Sequence, residues 1–188
     1  MICCIAALLD DETQNLIRRR VYDLNCLDDF GIAAALLPQH ISLRTAFHVQ
    51  NIAKIEEYFD SLYWDSRIRI ISNGVEIINE VVNDMRYDIL WYTIREDDHL
   101  RGLHQRIADD LSNRLEIKKS AYDGDLFRFH ATILYTQKSI QSEILEKLNF
   151  LDFETTIEKI ALFVSHENPV MPGRFYVYKI RRLNLASN

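Results

Sequence analysis

Two short stretches of the chain have the composition of a proton-transfer site. His40-Ile41-Ser42-Leu43 and His130-Ala131-Thr132-Ile133 each place a histidine two residues before a hydroxyl, with an apolar residue between them and another after. An imidazole titrates near pH 6.5, so one member of a histidine pair can be neutral while the other is protonated, and the pair can act as general base and general acid. The two hydroxyls can donate hydrogen bonds to oxygens that gain charge in a transition state.

The elements around these tetrads decide whether they meet. Pro38 to Val49 and Leu126 to Tyr135 are alternating apolar runs, which predicts a β-strand for each. Side chains at i and i+2 of a strand share a face. His40 and Ser42 are therefore neighbours, as are His130 and Thr132, while Ile41, Leu43, Ala131 and Ile133 point to the other side. By the same spacing Arg44 falls on the face of His40 and Ser42, and Arg128 on the face of His130 and Thr132.

The order of elements repeats along the chain. Ile2 to Leu9 is a first strand. Asp10 or Asp11 caps a helix from about Glu12 to Leu24, and Asn51 caps a helix carrying Ile52, Ile55, Tyr58, Phe59 and Leu62 on one side. Strands at Arg67–Ile71 and Val75–Ile78 flank Asn73-Gly74, a hairpin-turn dipeptide. Ile89 to Ile94 opens the second half, followed by a helix through Leu100, Leu103, Ile107 and Leu111. The second histidine strand, a helix at Ser139–Leu148, a strand at Thr155–Ser165, a loop with Pro169 and Pro172-Gly173, and a last strand at Arg174–Leu183 complete it. Both halves run strand, helix, histidine strand, helix, strand, strand. The expected fold is α+β: two similar lobes with antiparallel sheets around a central cleft, related by an internal pseudo-two-fold duplication. We expect one bilobal domain over 1–188, with lobe one at about 1–85 and lobe two at about 86–188.

Composition limits the partners. Of 188 residues, 48% are hydrophobic and 27% charged, ordinary values for a globular chain. The formal net charge of −6 argues against charge-driven binding of long duplex nucleic acid, and leaves room for a local basic pocket. Cys3, Cys4 and Cys26 are an odd set with two adjacent on a strand, which fits free thiols in a reducing cytoplasm and not a disulfide framework. Met1 to Leu9 is too short to span a membrane. No cysteine–histidine cluster has zinc spacing, and no glycine-rich phosphate loop occurs.

Two His-x-Ser/Thr-apolar motifs on equivalent strands of two similar lobes resemble the 2H phosphoesterase superfamily, which includes 2′-5′ RNA ligases and RNA 2′,3′-cyclic phosphodiesterases. The resemblance implies that His40 and His130 are the catalytic pair and that Ser42 and Thr132 hold the phosphate. It also implies a substrate among RNA ends or small cyclic nucleotides, and no metal or other cofactor. Opening a 2′,3′-cyclic phosphate by water needs a base for the water and an acid for the departing ribose oxygen, which two imidazoles supply. Run in reverse with an RNA 5′-hydroxyl, the same site would join ends. The alternative is a non-catalytic module on the same fold that binds a nucleotide or RNA end.

Other residues are secondary candidates. Arg44 and Arg128 are each either a phosphate-neutralising cation or a charge on an exposed sheet face. Tyr176 and Tyr178 share a face of the last strand, as base-stacking or phosphate-bonding groups or as rim residues. His48, His99, His104 and His166 are expected at the surface. Arg18-Arg19-Arg20 is expected on a solvated helix face, and Trp64 and Trp91 in packing roles.

Overall fold

The computed structural model describes residues 1–64, 66–82, 84–121, 123–167 and 174–185. The loop expected around Pro169 and Pro172-Gly173 lies outside the described residues. The elements are β1 (Ile2–Leu8), α1 (Asp11–Leu27), β2 (His40–His48), α2 (Ile52–Ser61), β3 (Tyr63–Trp64), β4 (Arg69–Val82), β5 (Met85–Ile94), α3 (Asp98–Leu115), β6 (His130–Thr136), α4 (Ser142–Lys147), β7 (Glu154–Thr156), β8 (Lys159–Ser165), β9 (Tyr176–Arg182) and β10 (Asn184–Leu185). They form two four-stranded antiparallel sheets, ordered β2-β1-β8-β9 and β6-β5-β4-β7, while β10 pairs with β3 in parallel.

Local chemistry starts the helices where expected. The Asp10 carboxylate accepts from Thr13 N at 2.7 Å, the Asn51 amide oxygen from Ala53 N at 2.9 Å, and Asp97 from His99 N and Leu100 N. Each cap satisfies amides that have no partner inside the helix, worth about 1 kcal/mol apiece.

The duplication is present, but the halves exchange strands. In both, a first strand pairs with the histidine strand: β1 with β2, and β5 with β6. After the second helix of each half comes a short strand, β3 or β7, and the longer strand beyond it crosses over. β4 pairs with β5 of the other half, and β8 pairs with β1. A division at about residue 85 therefore does not separate the sheets. The physical reason is local: β4 runs straight into β5 as a long hairpin, and a hairpin partner must share its neighbour's sheet.

That hairpin also corrects the place of its turn. Asn73-Gly74 does not reverse the chain; it sits inside β4, where Ser72 faces Ile94 and Val75 faces Tyr92, so the register slips. Gly74 takes φ 76° and donates its N–H to Asp152 at 2.7 Å, the left-handed conformation of a glycine bulge. The chain reverses after Val82, with Asp84 at φ 61°.

One apolar core joins the halves. Ile5, Ile41, Leu43, Ile160 and Leu162 of the first sheet belong to the same buried cluster as Leu90, Tyr92, Ala131 and Ile133 of the second. Each long helix reaches across, α1 to β6 and α3 to β2. Such shared burial fixes the two histidine strands relative to one another. Among the described residues no helix is long and apolar enough to cross a membrane.

Candidate active site

The two tetrads fold alike. Ile41, Leu43, Ala131 and Ile133 are fully buried, while His40, Ser42, His130 and Thr132 are half-buried on the opposite faces of their strands. Both strands then carry a β-bulge at the fourth residue of the tetrad. Ser42 pairs with Ala6 and Arg44 with Ile5, leaving Leu43 extra; Thr132 pairs with Trp91 and Leu134 with Leu90, leaving Ile133 extra. A bulge adds twist and ends the regular alternation next to the hydroxyl.

Both imidazoles are held by the same hydrogen bond. His40 Nδ1 lies 2.8 Å from Pro38 O, and His130 Nδ1 lies 2.9 Å from Arg128 O. A carbonyl only accepts, so in each ring Nδ1 carries the hydrogen and Nε2 is the working nitrogen. Among the described residues neither Nε2 nor the Thr132 hydroxyl has a partner, and Ser42 Oγ contacts only Cys4 Sγ at 3.7 Å. β2 and β6 adjoin. His40 is pushed down to about 4, chiefly by burial, against the pull of Pro38 O and with the charge of His130 adding to the depression. His130 is also lowered, first by burial and then by the nearby Arg128 charge, while its bond to Arg128 O works the other way. Two imidazoles that feel each other's charge resist holding two protons at once.

The surroundings differ between the halves. His40 meets the Phe163 ring at 4.7 Å with 64° between planes, whereas His130 stacks on Trp91 at 4.1 Å and 24°. Glu76 Oε2 accepts from Trp91 Nε1 at 3.3 Å and from Arg128 Nη2 at 2.6 Å, and the Arg128 guanidinium lies over the indole. Trp91 is thus part of the site, not only packing. Its signal was its place on the strand pairing with the second tetrad, which composition does not reveal.

Arg128 is therefore brought to the site, and Arg44 is not. The bulge at Leu43 turns Arg44 into the core, where it is 2% exposed, at the position that Leu134 fills in β6. There it pairs with Asp123 at 3.1 Å, donates to Thr45 O and Lys118 O, and lies over Phe47. A second bulge separates the tyrosines, with Tyr176 ahead of it opposite Val164. Val177 pairs with Phe163 and Lys179 with Leu162, so Tyr178 is the extra residue; its hydroxyl reaches Glu56 of α2, and Tyr176 reaches His166. Val177 and Ile180, opposite Phe163 and Ala161, hold the cleft-facing places of β9 instead.

Among the other histidines, His48, His99 and His166 are exposed, but His104 is fully buried. Its Nδ1–H donates to Leu43 O at 2.7 Å and its Nε2 accepts from Gly124 N at 3.1 Å, with Phe127 stacked beneath. It ties α3 to the first histidine strand and to the loop leading into the second. Among the described residues no group of three or more His, Cys, Asp or Glu side chains is placed to hold a metal ion.

No protein-family model and no curated protein matches this sequence. Solved structures do match its shape. TT0787 of Thermus thermophilus is 14% identical and aligns over 100% of both chains with a TM-score of 0.59. E. coli LigT in complex with 3′-AMP is 15% identical over 96% of this chain and 97% of its own, with a TM-score of 0.58. A further phosphoesterase structure is 14% identical over 97% of each chain, with a TM-score of 0.57. The chain has their fold. The likeness expected from the two tetrads, to the 2H phosphoesterases, thus holds at the level of the fold across nearly the whole chain.

Proposed function

We propose that the chain is a 2H-type phosphodiesterase that opens, or in reverse forms, a 2′,3′-cyclic phosphate or 2′-5′ phosphodiester at RNA ends or in small nucleotides. The observation that carries this reading is the matched pair of imidazoles. Each has its Nδ1–H tied to the carbonyl two residues back, with a working Nε2 and a hydroxyl two residues on. A binding module needs no second proton-transfer group. The LigT complex with 3′-AMP supports a nucleotide as the ligand class.

The two surroundings divide the roles. His40, held neutral by burial, is the base: its Nε2 takes a proton from water as the water oxygen bonds to phosphorus. His130 is the acid: the Trp91 face beneath it attracts the charged ring, against the lowering by burial and by Arg128, and its Nε2 protonates the ribose oxygen as the P–O bond breaks. Ser42 and Thr132 donate to the non-bridging oxygens. Proton exchange with solvent then resets the pair. The three cysteines are all free, in keeping with action in the cytoplasm.

Hydrolysis of a nucleoside 2′,3′-cyclic phosphate in oxygen-labelled water tests the route. The label should enter the phosphate of the product and not its ribose hydroxyls. Label in the ribose would mean carbon–oxygen cleavage and would end this assignment.

A further inference from the structure

A small pocket opens beside His130. Its volume is about 230 Å³, and its walls include Trp91, Thr93, Glu96, Asp125, Arg128 and His130 itself. Pockets for drug-sized ligands run to about 300–1,000 Å³, so this one suits a single ring system. Because His130 forms part of the wall, a nucleotide whose phosphate meets that imidazole is within reach to place its own base there.

The charges decide what enters. Arg128 is already engaged by Glu76. Glu96 uses Oε1 on Arg101 at 2.7 Å and leaves Oε2 open among the described residues. Asp125 is exposed, and among the described residues neither of its carboxylate oxygens has a partner. The pocket thus offers open carboxylate oxygens and one neutralised cation. It repels a second phosphate and accepts N–H donors.

We infer that Asp125, assisted by Glu96, reads the base of the substrate and favours guanine. This rests on the phosphodiesterase reading above and names the substrate within it. A carboxylate has two acceptor oxygens side by side. The pairing edge of guanine presents two adjacent donors, the ring N1–H and the exocyclic amino group, and meets both oxygens as a guanidinium does. Adenine and cytosine set one amino group beside a ring nitrogen acceptor, and uracil flanks its single N–H with two carbonyls. Each of these turns a lone pair toward the carboxylate. The planar Arg128 guanidinium, clamped by Glu76 over Trp91, gives the base a surface to stack on.

The test compares kcat/KM for the four nucleoside 2′,3′-cyclic monophosphates with the wild-type protein and with Asp125→Asn, which keeps the shape and replaces one acceptor by a donor. The wild type should favour guanosine over uridine by about tenfold or more, the scale of one bidentate base contact. In the variant that ratio should collapse toward one. Equal rates for all four bases in the wild type, a preference that survives in Asp125→Asn, or an equal loss on all four would each overturn the inference. Calorimetric binding of guanosine and uridine 3′-monophosphates separates it from the reaction itself. A guanine preference in binding that Asp125→Asn removes, without turnover of any cyclic nucleotide, would uphold the base reading and reject the phosphodiesterase.

Discussion

The Trp91 indole lies parallel to the His130 imidazole, with 4.1 Å between ring centres and 24° between planes. Together with the Nδ1 bond to Arg128 O, this contact fixes both the direction and the tilt of the ring. His40 has its own Nδ1 bond but only an edge contact with Phe163. The acid half of the site is therefore held by a flat surface that the base half lacks.

Replacing that surface should blunt catalysis without unfolding the protein. Trp91→Ala should lower kcat by about ten- to a hundredfold, the scale of a catalytic group displaced by an ångström, and Trp91→Phe should restore most of the loss. Steady-state kinetics with a cyclic nucleotide check this. A rise in KM at unchanged kcat would reassign Trp91 to substrate binding.

The rate should peak on the acid side of neutrality. His40 acts as base in its neutral form, so kcat/KM should fall as pH drops through about 4. His130 acts as acid in its charged form, and its pKa is lowered, so activity should also fall as pH rises and be declining below the ordinary value of about 6.5. A pH–rate profile with its maximum above 7 would contradict the assignment of roles.

Arg44 should matter for stability and not for substrate. Its pairing with Asp123 is 2% and 5% exposed on the two side chains. Removing one member of such a pair strands the other charge, at a cost of about 3–5 kcal/mol. Arg44→Ala should shift the urea midpoint accordingly. An unchanged midpoint with a raised KM would return Arg44 to the phosphate.

The periodicity of the sequence carried much of the architecture, because strand alternation and helix caps are local properties. His40, Ser42, His130 and Thr132 share their faces as the period of two requires, and Asp10 and Asn51 cap helices through their own side chains. What failed was whatever a single inserted residue changes. The bulges at Leu43 and Tyr178 break the alternation, so Arg44 leaves the face of His40 and Ser42, and the spacing of two no longer relates Tyr178 to Tyr176. His104 was hidden for another reason: its two partners, Leu43 O and Gly124 N, are backbone atoms far away in the chain, and no residue type announces them. The pairing of β8 with β1 is likewise long-range, whereas β4 joins β5 through a local hairpin whose turn lies after Val82 and not at Asn73-Gly74. Trp91, Glu76 and Asp125 acquire roles only through neighbours that the exchange and the pairing of β5 with β6 supply.

The central claim is that His40 and His130 act together on one phosphate. Its most direct test is turnover of nucleoside 2′,3′-cyclic monophosphates, in the presence of EDTA, by the wild type, His40→Ala and His130→Ala. The wild type should hydrolyse them, and each variant should lose at least about a hundredfold in kcat, as expected when an acid–base group is removed. Near-wild-type rates in either variant, or nucleotide binding by the wild type without any turnover, would contradict it.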